Sequence, residues 1–369
     1  MKTSEFFKKT LLGLCIGMML VGLIGCSQSK ETAAPEASQS AELSLPDLEK
    51  AAQKEGTVVS VGMPDAWANW KGTWTDLAGK YGLKHQDTDM SSTEEVAKFE
   101  AEKSNPTADI GDVGIAFGPL AVQKGVTQPY KTSYWNDIPD WAKDKEGHWI
   151  VQYQGTMAIM TDKSQVKNLP RSYDDILKGD YKVALGDVTK ANQAQMAVLA
   201  AAMALGGDES NIQPGLDFFV KLVKQGRLSK TDTQPANFEK GEIAVGLVWD
   251  FNALGYRDQI APQRFEVCIP SEGSVISGYA SIINKFAPHP NAAKLTREYI
   301  FSDAGQINLA RGYARPIRSN VNLPQDVAAK LLPAEQYKSG KIIKDQKAWE
   351  ATSKKLPQMW QDQVLSLLK

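Results

Sequence analysis

Residues 57–71 read TVVSVGMPDAWANWK: a short apolar run that breaks at Gly62 into a segment with a proline, a carboxylate and two indoles. The first five residues are β-branched or small, which is a buried-strand pattern. Indoles normally sit in the regular elements that build a core. Trp67 and Trp70, placed where the backbone leaves a strand, therefore either plug the side of the domain or wall a site.

The neighbouring sequence extends the pattern. LPDLEKAAQKEG (45–56) predicts a helix closed by Gly56, and a second helix is expected over roughly 69–81. A polar strand, KHQDTD (84–89), follows; Ser91-Ser92-Thr93-Glu94-Glu95 then opens the helix EEVAKFEAEKS with hydroxyl caps and first-turn acids. DIGDV (109–113) gives a further buried strand and GPLAVQKG (118–125) a helix. The order β-α-β-α-β argues for an open, mostly parallel sheet covered by helices on both faces.

A second unit begins near residue 150 with the long strand IVQYQGTMAIMTD (150–162). KVALGDV (182–188), the helix NQAQMAVLAAAMALGG (192–207), the helix GLDFFVKLVKQG (215–226) and the strand EIAVGLVWD (242–250) repeat the α/β alternation. FEVCIP (265–270) and SVISGYASIINK (274–285) return the chain, and PNAAKLTREYIFSDAGQINLARG (290–312) reads as one amphipathic helix or a pair.

The 369 residues suffice for two domains, and 42% hydrophobic with 23% charged residues is an ordinary globular balance. A formal net charge of −1 excludes the electrostatic footprint of a nucleic-acid binder. MKTSEFFKK followed by TLLGLCIGMMLVGLIG (10–25) reads as a secretory leader, too short and abruptly flanked for a comfortable transmembrane helix. Leu23-Ile24-Gly25-Cys26 resembles the bacterial lipobox, which implies cleavage after residue 25 and acylation of Cys26. The small polar stretch that follows, within 26–44, is then a flexible tether. The folded body is expected outside the cytoplasmic membrane, lipid-anchored in a periplasm or at a cell surface. Cys268, without a partner once Cys26 is lipidated, is expected to be a small buried hydrophobe.

The sequence holds no G-x-S-x-G, H-E-x-x-H, P-loop or C-x-x-C, and only three histidines, His85, His148 and His289. No catalytic residue, metal site or cofactor is assigned. Polar and aromatic residues instead gather at four strand ends: MPDAW (63–67), DMSST (89–93), DVTKANQ (187–193) and WDFN (249–252). Ligands of open α/β sheets bind beyond such ends. Asp65 and Asp250 are the candidate charge anchors, Trp67 and Trp249 the stacking walls, and Ser92, Thr189 and Asn192 the hydrogen-bonding or helix-end contacts, with Asp187 beside them. Each has a plainer role: Ser91–Thr93 cap a helix, Trp249 fills the core, Asp112 ends a strand. Aspartates beside indoles suit a cation, whereas Lys190 and Arg315 offer a complement for a phosphate-like group.

Three stretches, ADIGDVGIAFGPLAVQKGVTQPY (108–130), GEIAVGLVWDFNALGYRD (241–258) and SGYASIINKFAPHPNAAKLTREYIFSDAGQINLARGYARPIR (277–318), carry a resemblance. Over 45–369 the chain resembles the bacterial extracellular solute-binding proteins of ABC importers, with the type 2 periplasmic-binding fold. The resemblance implies two α/β lobes and a hinge of two strand crossings, near Gln152–Gly155 and Ser274–Tyr279. Lobe 1 would hold 45–152 plus about 280–325, lobe 2 155–273, and 326–369 would form helices packed along both. Tyr279, beside a crossing, is added to the site residues. Ferric-binding members carry a paired tyrosine, but Tyr279 and Tyr313 each stand alone, which disfavours iron. The implied role is a monomeric receptor that performs no chemistry, with a small solute and an ABC permease with its ATPase as partners. A polyamine or aminophosphonate is the favoured solute and a sugar phosphate or ferric iron the alternative. The rival of another class is an exported hydrolase using Asp109, Asp112 or Asp250.

Overall fold

The computed structural model describes residues 43–368. The leader, Cys26 and nearly all of the 26–44 tether lie outside the described residues. No helix among them is long and apolar enough to cross a membrane.

Ten strands form: β1 Thr57–Val61, β2 Lys84–Thr88, β3 Ile110–Gly114, β4 Trp149–Asp162, β5 Val183–Ala184, β6 Val245–Trp249, β7 Phe265–Cys268, β8 Ser274–Ile283, β9 Arg315–Pro316 and β10 Gly340–Ile342. The main path runs β2-β1-β3-β8-β4-β6-β5. The β-α-β-α-β segment is parallel as expected, since β1 pairs in parallel with both β2 and β3. The sheet as a whole is mixed: β8 runs antiparallel to β3 and to β4.

The 14-residue β4 divides its length between two sheet sections. Trp149–Thr156 pairs with β8, while Met157–Thr161 pairs with β6 and Ile159–Asp162 with β7. A register shift between Val151 and Tyr153 marks the first of these ladders. Gly278 passes so close there that a Cβ would stand 2.3 Å from the Tyr153 carbonyl oxygen. Only a glycine lets the two strands approach.

Helices cover both sections. Leu45–Glu55 starts at Ser44, whose hydroxyl accepts from the Asp47 amide, and stops at Gly56 with φ 68°. Trp70–Tyr81 buries Trp70, Trp74 and Leu77 against the sheet. Asn192–Ala204 is apolar on every side and buries eleven residues, among them Met196, Leu199 and Ala200. A helix enclosed all round has no polar face to give water, and its neighbour Gln213–Lys224 covers it. The 290–312 segment is a pair, Pro290–Phe301 and Asp303–Arg311, broken where the Ser302 hydroxyl caps the second helix through the Gly305 amide. The last long helix, Gln346–Gln363, packs on Gln213–Lys224. Cys268 is buried, with its sulfur facing the Pro170 carbonyl.

One charged residue belongs wholly to this scaffold. Arg297, fully buried, donates through Nη1 to the carbonyls of Tyr130 and Gly147 and through Nη2 to Ser281. It fastens the long 130–148 loop to the helix and to β8, while burial lowers the guanidinium to about 9.

Candidate functional site

A 380 Å³ cavity opens at the strand ends. One wall comes from the loop after β1 (Gly62, Pro64, Ala66, Trp67), from Asp89–Ser92, from Glu95 and from Asp112 of β3. The opposite wall comes from Leu185 and Gly186, Ala191–Gln193, Asp232–Pro235, Asn252 and Tyr256, with Tyr279 of β8 at the back.

The loop that carries Trp67 is held in an unusual conformation. Ala68 and Asn69 adopt φ of 48° and 57°, a left-handed region that side chains rarely occupy. The Asn69 amide donates to Asn308 Oδ1 at 2.8 Å, and a Cβ on Gly312 would stand 2.4 Å from the Asn69 nitrogen. These contacts from the helix Asp303–Arg311 lock the bend and aim the indole. Trp67 Nε1 donates to the Tyr153 hydroxyl at 2.6 Å, and that hydroxyl donates to Asp112 Oδ2 at 2.6 Å. Trp67 also meets Phe251 and Tyr279 edge-on, with centroids 5.4 and 5.3 Å away. Trp70, by contrast, lies wholly in the core, stacked on Trp74.

Acids dominate the charge of the cavity. Asp89, Glu95, Asp112 and Asp232 line it, and among the described residues no Lys, Arg or His does. Glu95 is 1% exposed and receives the Asp112 amide at 2.9 Å through Oε2. Gly62, with φ 69°, and Gly111 make room for its carboxyl, since a Cβ at either would stand 2.4 or 2.6 Å from a carboxyl oxygen. Burial, reinforced by nearby Asp112, Asp87 and Asp89, pushes Glu95 well above the carboxylate range. Burial likewise raises Asp112 to about 8, opposed by its bonds from Tyr153 and Gln152. Burial therefore keeps Asp112 mostly protonated at neutral pH and pushes Glu95 in the same direction.

Two helices begin at the rim. Ser91 donates its amide and hydroxyl to Glu94, and the Ser92 hydroxyl accepts from the Gly114 amide, at the start of Ser92–Ala101. Asn192–Ala204 starts without a side-chain cap. Its Asn192 is 4% exposed, and neither amide atom completes a hydrogen bond, although the Tyr279 hydroxyl is near enough to feel the group.

Of the residues singled out from sequence, Trp67, Ser92, Asn192 and Tyr279 line this cavity together. Asp65 does not; it is exposed and borders an adjoining 210 Å³ depression with Arg311 and Tyr313. Asp187 and Thr189 are exposed and satisfy each other, the Thr189 hydroxyl and amide both donating to Asp187 Oδ1. Trp249 and Asp250 are fully buried beneath the cavity, where Trp249 stacks on Phe251. Asp250 accepts from the Thr156 amide and the Tyr337 hydroxyl, both at 2.8 Å. Neither Lys190 nor Arg315 reaches the cavity, and Arg315 lies over the Tyr337 ring.

Glu95, Asp232, Asn252 and Tyr256 were not singled out from sequence, and Asp112 was read only as a strand end or a hydrolase acid. For Glu95 a signal existed: it stands three residues after Ser92 on one helix, so both face the same way. The three histidines are dispersed, His85 against Trp74, His148 bonded to Thr127, and His289 to Asp109.

The comparisons with known proteins agree on a lineage. Residues 105–346 match the family described as bacterial extracellular solute-binding protein. A probable ABC transporter periplasmic-binding protein of Sinorhizobium fredii is 26% identical over 265 residues, covering 69% of this chain and 72% of the relative. Among solved structures, the periplasmic binding protein AfuA of Actinobacillus pleuropneumoniae, with exogenous fructose-6-phosphate bound, superposes with a TM-score of 0.69. It is 20% identical, over 84% of this chain and 98% of its own. The Streptococcus pneumoniae spermidine/putrescine substrate-binding protein PotD gives 0.64 at 16% identity, over 85% and 99%. These likenesses fix the fold as the two-lobed periplasmic-binding type.

Proposed function

This chain belongs to the bacterial extracellular solute-binding protein family, and from that premise we propose that it captures a small amine-bearing solute, a polyamine or an aminophosphonate, and delivers it to an ABC permease. The relatives named above are transport binding proteins, and no reaction is assigned here. The lobes we assign as 45–152 with about 280–325, and 155–273, with 326–369 packed along them. β4 and β8 form the hinge. Closure is driven by a solute that touches both walls, because only contacts made to both lobes favour the closed form.

One observation carries the choice of solute: among the described residues, four acids line the cavity and no basic side chain does. An anion would meet no basic partner there, whereas a cation finds carboxyl oxygens as acceptors and gains the faces of Trp67, Tyr256 and Tyr279. The proposed contacts are Trp67, Ser92, Asn192 and Tyr279 from the sequence reading, joined by Glu95 and Asp112. Asp65, Asp187, Thr189, Trp249 and Asp250 act outside the first layer. A membrane tether through Cys26 completes the proposal.

A thermal-shift and calorimetric screen with putrescine, spermidine, 2-aminoethylphosphonate and hexose phosphates tests it. A rise in melting temperature with an amine, following the mass-action law for a ligand of the folded state, is expected. A response to hexose phosphates alone would sink the amine reading. That second reading has its own support in the start of Asn192–Ala204 at the rim, which has no side-chain cap and whose helix dipole favours an anion.

A further inference from the structure

The Glu95 carboxyl, at the lining of the cavity, has one oxygen engaged by a backbone amide and the other lying over Gly62. Oε2 takes the Asp112 amide, and Oε1 has no donor among the described residues. Lining the same cavity, the Asn192 amide, 4% exposed, sits over Gly114 with the Tyr279 hydroxyl as its one polar neighbour among the described residues; a Cβ on that glycine would stand 2.4 Å from it. A buried amide and a buried acid that share one cavity with bonding capacity unfilled both gain from a partner that can bond to each.

The groups that face Glu95 are all acidic or neutral. Asp112 of β3, Asp87 of β2 and Asp89 just beyond it are acids, and Tyr279 of β8 is a neutral phenol. On its own helix Glu94 is held by Ser91 and feels Lys190 from across the cavity, while Lys98 pairs with Glu102. Among the described residues, no cation therefore compensates Glu95.

We propose that the Glu95 carboxyl is the seat of the solute's ammonium group, with Asn192 closing on the same group from the other wall, and that seating it expels the proton held on Glu95 in the solute-free protein. The proposal rests on the amine reading above. In the step, the Glu95 O–H bond breaks and the proton passes to the buffer. The ammonium keeps its three N–H bonds and pairs with the carboxylate. An anionic solute would do the reverse and leave the acid protonated or drive proton uptake. The sign of proton exchange therefore reports which charge sits at this spot.

Calorimetric titration of the wild-type protein with putrescine, in buffers of low and high ionisation enthalpy near pH 7, measures the exchange. Release of up to one proton per ligand is expected, with affinity rising as pH rises. Glu95→Gln, checked for folding by its melting temperature, should bind more weakly and lose both the release and the pH slope. Binding of putrescine with no proton change, or with uptake, overturns the assignment even if the amine reading survives. A variant that keeps the wild-type release overturns it as well. Failure of every amine to bind removes the reading underneath, a result distinct from binding without release.

Discussion

The Tyr337 hydroxyl donates to Asp250 Oδ2 at 2.8 Å, joining the segment that leads into β10 to the helix that follows β6. The other Asp250 oxygen accepts from the Thr156 amide of β4, at the point where that strand passes from one sheet section to the next. Asp250 is thus a buried tie at the crossing. Burial raises it to about 6, against the pull of both donors.

Tyr337→Phe removes one of those donors. A cost of about 1–2 kcal/mol is expected. Because the folded value of Asp250 lies above its ordinary 3.8, the folded state keeps this proton longer, and stability falls as pH rises from about 4 to about 6. Losing Tyr337 lifts that value further, so the gap to wild type should be larger at pH 8 than at pH 4.5. Urea midpoints at both pH values check this; an equal gap refutes the coupling.

Asp112→Asn carries the same sign further. The folded Asp112 sits near 8 against 3.8 unfolded, so its contribution to stability declines as pH rises across that window. Asparagine cannot ionise. Relative to wild type, the variant should be more favourable at pH 9 than at pH 5, and matching stability profiles would contradict the buried, neutral acid.

Trp67→Ala should weaken putrescine binding roughly tenfold through loss of the aromatic face. The fold should survive, since the indole is only half-buried at the wall while Trp70 beneath it fills the core. The dissociation constant measured beside the melting temperature separates the two effects. An unchanged constant would move the solute elsewhere.

Asp187→Ala is expected to change affinity by less than about twofold, because its carboxylate is spent on the Thr189 amide and hydroxyl and does not reach the cavity. A large loss, read in the same titration, would mean that the lobes rearrange enough to bring this turn inward.

The elements themselves were legible because local patterns fix them. TVVSV, DIGDV and the 150–162 run became β1, β3 and β4 within a residue of where their side chains predict, and Gly56 ended its helix as a left-handed cap should. The site was legible only in part. Trp67, Ser92, Asn192 and Tyr279 stand together on one cavity, whereas Asp187 satisfied its own turn and Trp249 and Asp250 went inward. A strand end can send its next residue out or down, and periodicity does not say which.

Sequence alone determined the alternation of elements, the family resemblance and the kinds of residue at each strand end, since these depend on neighbours a few positions apart. The tertiary structure decided that Glu95 meets Asp112, that Asn192 lies over Gly114, and that no basic side chain among the described residues enters the cavity. Those are relations between segments tens of residues apart, set by strand order and by glycines that leave room for a carboxyl. The charge that the cavity presents is the sum of such relations, and no single stretch of chain contains it.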